Sequence, residues 1–300
     1  MTGHIAPAQR CSVQWRADDL PAWGTASRAD FWVALEQPGP WGAKALTESH
    51  LDPELGQHLE TLCSEAGGRA VLIRRPGRHA DVGEGPFTVL VSGGLLAGTP
   101  WLGSTRLGSH YDIVELLQLG DDLARGPRPE WLDEAEPVVA VCTNARRDQC
   151  CALSGRELLA DFEGHPGFWE VSHLGGHRFA PTALVLPTGQ ALARLDPLRT
   201  ADAVAAVRSG RPLAAGPRHD RGLSHLPNHL QVADAWARWQ GLESTAMHAE
   251  ELDEPGDQAW LVNVAGRRVR VTKQVGPDEL PSSCRKGLDA VVRWQLTEMD

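Results

Sequence analysis

Three hundred residues exceed one core of about 100–200 residues, and 29 Lys plus Arg against 39 Asp plus Glu leave a net charge of −10, which disfavours a nucleic-acid partner. A content of 42% hydrophobic and 23% charged residues excludes a disordered tail and a coiled coil. The longest near-apolar run, Thr88 to Gly98, is 11 residues against about 20 for a membrane span, and Met1-Thr2-Gly3-His4 opens no secretory signal, so a soluble, cytoplasmic chain without a membrane partner is expected.

In chain order, Phe31–Leu35 reads as a strand. Asp52 to Gly67 reads as a helix with Leu55, Leu59 and Leu62 on one face, and Arg69–Ile73 as a second strand. Phe87–Val91 and Leu102–Leu107 form a strand pair, and Asp112 to Leu119 a helix. Gly126-Pro127-Arg128-Pro129 is a natural linker. The continuous run Val138-Val139-Ala140-Val141 predicts a buried strand ending at Cys142. After a polar loop, Asp148 caps a helix carrying Ala152, Leu158, Leu159 and Phe162 on one side, closed by Gly164. Phe168 to Ser172 is the next strand. Thr182–Leu186 and Gln190–Leu195 make a hairpin around Thr188-Gly189. Asp196-Pro197 then starts a helix with Leu198, Ala201, Val204, Ala205 and Val207 as its stripe.

The order β-α-β-β-β-α thus occurs twice, and the second copy has the element order of a thioredoxin-like layer. An α/β fold of two tandem units follows: residues 1–130 without ligands, and residues 131–212. Residues 213–300 form an α+β segment packed on the other two. It contains a helix from Asn228 to Gly241, a hairpin of Trp260–Val264 and Arg268–Thr272 with Val269 and Val271 inward, and a closing helix from Ser283 to Gln295 with Leu288, Val291 and Val292 inward.

Six cysteines are too few for a disulfide scaffold, and a reducing compartment keeps them as thiols. Cys11, Cys63 and Cys284 stand alone and read as inert small apolar residues. Cys142, Cys150 and Cys151 cluster within ten residues. Cys142 ends a strand, at the edge of an open α/β sheet where ligands bind. Cys151 lies in a helix's first turn, where the thiolate is favoured. His173 follows the next strand and emerges at the same edge if the two strands are parallel. Gly175-Gly176 lets the chain bring His177 back to it. Two thiolates and two imidazoles then converge as a four-ligand metal site. Structural zinc usually takes cysteines spaced C-x₂₋₄-C. The eight residues between Cys142 and Cys151 suit a larger object, such as a diamond of two irons and two sulfides. Rieske centres alternate Cys and His within each motif, which this chain does not. His225 and His229 repeat the i, i+4 spacing but have no cysteine nearby, and no dinucleotide fingerprint or phosphate loop is present.

The runs Cys142…Arg147-Asp148…Cys151 and Ser172-His173-Leu174-Gly175-Gly176-His177-Arg178-Phe179-Ala180 resemble the signature of the sucrase/ferredoxin-like family. The resemblance extends through Leu184–Leu186 and Gly39-Pro40-Trp41-Gly42. It implies a thioredoxin-like ferredoxin carrying a non-Rieske [2Fe–2S] cluster on Cys142, Cys151, His173 and His177. Cys150 is the alternative to Cys151, which the family spacing favours. An electron carrier rather than a substrate-turnover enzyme is expected, with a redox partner protein that has a basic docking face. A structural zinc protein or a thiol-redox protein on the same fold is the competing reading.

Overall fold

The computed structural model describes residues 6–77, 85–118, 121–243, 247–252 and 258–299; Leu119 and Met1–His4, named above, lie outside them. The chain opens with a short helix, α1 (Cys11–Ala17). The first unit then consists of β1 (Trp32–Glu36), α2 (Pro53–Glu65), β2 (Arg69–Arg74), β3 (Phe87–Gly93), β4 (Trp101–Leu107), α3 (Asp112–Leu117) and a short β5 (Asp133–Glu134). The helix α2 starts where it does because the Asp52 carboxylate accepts the Glu54 and Leu55 N–H groups, with Pro53 in the first turn. Its buried face is Leu55, Leu59 and Cys63, so Cys63 takes the place expected of Leu62. These residues pack on Val33, Leu35, Leu72 and Val89. Each such aliphatic side chain contributes about 1.5–3 kcal/mol by leaving water.

The second unit repeats the plan with β6 (Val138–Cys142), α4 (Gln149–Ala160), β7 (Phe168–Val171), β8 (Ala183–Leu186), β9 (Gln190–Leu192) and α5 (Pro197–Arg208). In both units the first strand pairs in parallel with the second and antiparallel with the third: β1 with β2 and β3, and β6 with β7 and β8. The fourth strand of each adds antiparallel to the third. All are members of one mixed α/β sheet, ordered β10-β9-β8-β6-β7-β2-β1-β3-β4-β5 among the described residues, where β10 is Asp220–Leu223.

The units join edge to edge through β2 and β7, antiparallel, in two residue pairs: Ile73 with Val171 and Arg74 with Glu170. The second pair is also a buried ion pair, Arg74 Nη2 to Glu170 Oε2 at 2.7 Å. Thr143 Oγ1 donates to the same carboxylate at 2.6 Å. Arg74 donates to the Gly39 carbonyl and lies over the Trp41 ring at 4.0 Å. The Gly39–Gly42 segment is thereby tied to the junction.

The last third departs from expectation. The helix α6 (Asn228–Trp239) forms as the spacing predicts. The hairpin is β12 (Gln258–Val264) with β13 (Arg267–Pro281), and Val269 and Val271 are fully buried. The segment expected as a closing helix, Ser283 to Gln295, is instead mostly β14 (Leu288–Glu298), paired antiparallel along β13. Its β-branched Val291-Val292 pair favours a strand, and the long β13 edge offers the partner that a local reading of Leu288, Val291 and Val292 does not see. With β11 (His248–Leu252), these strands form a second sheet. Val232, Ala233 and Trp236 of α6 pack on Val262, Val264 and Trp294, and Trp23 joins them. Arg238 of α6 bridges Asp220 on β10 at 2.5 Å and Asp234 at 2.6 Å. Residues 213–300 therefore contribute one strand to the large sheet as well as their own layer.

Truncating Arg74 breaks a buried ion pair, and breaking such a pair costs about 3–5 kcal/mol. Arg74→Ala should lower the unfolding free energy by that amount in urea titration. A loss under about 1 kcal/mol would show that the junction does not depend on the pair.

Candidate metal centre

Because β6 and β7 are parallel, both carboxyl ends reach the same edge of the sheet. Cys142 closes β6, and Ser172-His173 continues β7. The join is tight: Cys142 Sγ donates to the Ser172 carbonyl at 2.9 Å, and Thr143 N donates to the Val171 carbonyl. Asp148 caps α4 by accepting the Cys150 N–H at 2.8 Å. A Cβ on Gly155 would stand 2.5 Å from the Cys142 carbonyl oxygen. Glycine there lets α4 lie close on the end of β6, bringing Cys151 over Cys142.

The sequence-derived residues do meet at this edge. Cys142 and Cys151 are fully buried and share a hydrogen bond. Cys151 Sγ is 3.3 Å from His177 Nδ1. The His173 and His177 rings stack with centroids 4.5 Å apart, and His173 Nδ1 accepts the Gly175 N–H. Cys150 and Cys151 occupy successive helix positions and so face different ways. Cys151 turns to Cys142 and His177, whereas Cys150 Sγ turns to Cys11 and Cys284. His229 stacks on Trp260, away from this edge.

Burial and close contact shift the acidities of the groups at this edge in opposite directions. The hydrogen bond donated by Cys151, with His173 beside it, pulls the Cys142 thiol well below its usual pKa, while the same bond and burial push Cys151 up. The two sulfurs thus differ in acidity, Cys142 being the one favoured as thiolate. Burial first, and His173 second, push His177 down to about 4, so it presents a neutral imidazole, the ligating form.

Sequence reasoning missed Arg221. It is fully buried, and burial pushes its pKa down to about 9. It donates to the Gly175 carbonyl at 3.2 Å and to the Thr25 carbonyl at 2.5 Å. Gly176 has φ +72°, and a Cβ there would stand 2.6 Å from the guanidinium carbon. The two glycines thus let the histidine loop lie flat on a buried cation whose field reaches Cys142 and Cys151. Its position past the Gly216-Pro217 boundary hid it, because only the pairing of β10 with β9 returns it to the sheet. Arg178 is half-buried, over the Trp15 and Phe179 rings.

Cys11 and Cys284 are not isolated, contrary to expectation. They converge with Cys150 and Asp148, their candidate ligand atoms all within 4.8 Å of one another, in a group that could hold a metal ion. Distances of 137 and 136 positions from Asp148 left no local spacing to reveal this.

A cleft of about 370 Å³ opens over the histidines, lined by His173, His177, Arg146, Arg147, Arg178 and Arg285 among others. No helix is long and apolar enough to cross a membrane among the described residues.

The sucrase/ferredoxin-like family model matches residues 22–214, more than half of the chain. The chain belongs to the sucrase/ferredoxin-like family. The matched span contains Cys142, Cys151, His173 and His177 and ends before Arg221 and Cys284. No curated protein and no solved structure matches it.

Burial of neutral His177 makes the metal-free fold sensitive to acid. Its folded value of about 4 lies below the ordinary 6.5, so the contribution is full above pH 6.5 and is lost as pH falls from 6.5 to 4. The difference amounts to about 3 kcal/mol. Urea unfolding of the metal-free chain across that range should show the loss, and His177→Gln should flatten it. An equal acid dependence in His177→Gln would assign the effect to other groups.

Proposed function

We propose that this protein is an electron carrier whose Cys142, Cys151, His173 and His177 hold a [2Fe–2S] cluster, and that it works in the cytoplasm. The observation that carries the reading is the meeting, at one sheet edge inside the family-matched span, of two buried sulfurs and two stacked imidazoles. The donor set fits the group: two thiolates balance the +2 of a diferric two-sulfide core, and the imidazoles add no charge. When bound, the cluster supplies storage for one electron.

The chain's own residues do the rest. Cys142 and Cys151 are held by β6 and the first turn of α4, away from water. His173 and His177 line the cleft and give the short path to a partner. With His177 Nδ1 against Cys151 Sγ, Nε2 is the nitrogen left to exchange a proton with the cleft. Arg221 behind the loop favours added negative charge.

The partner would dock on the histidine rim. Net charge alone favours a basic partner face, but Arg146, Arg147, Arg178, Arg285 and Lys286 line the cleft itself. Local charge governs close docking, so we propose an acidic patch on the redox partner. Its transfer rate should fall as salt rises, and reversing Arg285 and Lys286 to Glu should slow it. A rate independent of both would remove docking at this rim.

Anaerobically purified protein should be pigmented, with equal iron and acid-labile sulfide and an EPR signal on reduction. Cys142→Ser and Cys151→Ser should abolish the colour, and Cys150→Ser should keep it. A colourless protein, or colour lost with Cys150 and kept without Cys151, would overturn the assignment.

The potential should lie above the about −400 mV of all-Cys plant-type ferredoxins, because the oxidised site is near neutral rather than −2. It should fall with pH towards about 59 mV per unit where one proton accompanies the electron. His173→Cys or His177→Cys should lower the potential and weaken the slope. A potential constant from acid to strongly alkaline pH would exclude histidine ligation.

A further inference from the structure

Three sulfurs outside the proposed cluster ligands meet at one point. Cys11 opens α1, Cys150 lies in the first turn of α4, and Cys284 sits in the connection between β13 and β14. Their Sγ atoms are 3.6 Å apart for Cys11 and Cys150, 3.2 Å for Cys150 and Cys284, and 3.6 Å for Cys11 and Cys284. Thiolates on a tetrahedral ion with bonds of about 2.3 Å stand about 3.8 Å apart, so a small outward shift seats one ion among them. A disulfide, with sulfurs at about 2.05 Å, would unite only two of the three. A cluster with bridging sulfides would need them farther apart.

The fourth side is Asp148. Its oxygens lie 3.9 and 4.0 Å from Cys11 Sγ. Oδ1 accepts the Cys150 N–H at 2.8 Å, and Oδ2 accepts Ser283 Oγ–H at 2.9 Å and the Cys284 N–H at 2.8 Å. These neutral donors orient a fully buried carboxylate beside three buried or half-buried thiols. A dication supplies the positive charge this grouping calls for once the thiols ionise.

We propose that Cys11, Cys150, Cys284 and Asp148 form a second, mononuclear zinc site, distinct from the [2Fe–2S] ligand set. Three thiolates and a carboxylate suit a soft-to-borderline ion of tetrahedral preference. Cys11 and Cys284 lie outside the family-matched residues 22–214, whereas Cys150 and Asp148 lie within them, so the chain's flanks supply two of the four ligands. The ion ties the first helix and the C-terminal hairpin to α4. That hairpin delivers Ser282, Ser283, Arg285 and Lys286 to the cleft over the histidines, so the site fixes part of the rim. Loading releases the thiol protons to solvent and involves no electron transfer.

Metal analysis of the full chain, purified anaerobically and then incubated with zinc salt and desalted, tests this. One zinc per chain is expected, separate from any iron. Cys11→Ser and Cys284→Ser should each lower zinc content at least tenfold while the iron and visible colour remain. Cys142→Ser should lose iron and keep zinc, so the failure of one site is distinguishable from failure of the other. The Cys142→Ser chain loaded with cobalt(II) should show intense thiolate-to-metal charge transfer that Cys150→Ser in the same background removes, a readout that depends on sulfur ligation rather than on yield. No zinc in the wild-type chain, zinc unchanged in both Cys11→Ser and Cys284→Ser, or a disulfide among the three cysteines in anaerobic protein would each overturn the proposal.

Discussion

The parallel pairing of β6 with β7 is the constraint on which the centre depends. It sends two separate pieces of sequence, one ending in Cys142 and one leading into His173, to the same side of the sheet. An antiparallel pairing would place them at opposite ends, some four residues of strand apart. Hydrogen bonds at the end of the pair, one of backbone from Thr143 N to the Val171 carbonyl and one from the Cys142 side chain to the Ser172 carbonyl, lock the register where the donor atoms leave the strands. The cap at Asp148 and the close approach at Gly155 then decide the one remaining degree of freedom, the seating of α4.

Charge is handled in layers around that edge. Contact between the two thiols lowers the pKa of Cys142 and raises that of Cys151. Arg221 lies buried under the histidine loop, and the rim carries further cations. A protein of net charge −10 thus presents a positive face at the one place where its proposed chemistry would meet another molecule. Global charge describes long-range attraction; it does not describe the groups within a few ångströms of the site.

Much of the scaffold was legible because it is local. The Asp148 and Asp196 caps, the apolar run of Val138–Val141 and the paired glycines before His177 each announce themselves within a few residues. The order of elements was enough to anticipate two units of like topology. What escaped depends on pairing at long range. The segment Leu288–Glu298 is a strand because β13 lies beside it, and its spacing alone imitates a helix. Arg221 reaches the centre only through the pairing of β10 with β9. Cys11 and Cys284 looked inert because nothing in their own neighbourhoods signals that tertiary folding sets them against Cys150. By contrast, Cys150 and Cys151 differ by rotation along a single helix turn, which sets Cys151 towards His177 and Cys150 towards Cys11 and Cys284.

The seam between the two units is narrow, with two residue pairs joining β2 to β7 among the described residues. It runs beside the edge where Cys142 and His173 meet: Leu72 exchanges hydrogen bonds with Ser172 through its N–H and carbonyl, and Ser172 is the residue before His173. Thr143, which follows Cys142, holds the Glu170 carboxylate of the seam. The first unit is therefore geared to the second. A twist of one unit against its neighbour would pivot on these few bonds and reach Cys142 and His173 together, turning a relative rotation of the two halves into a change in the spacing between a sulfur and an imidazole.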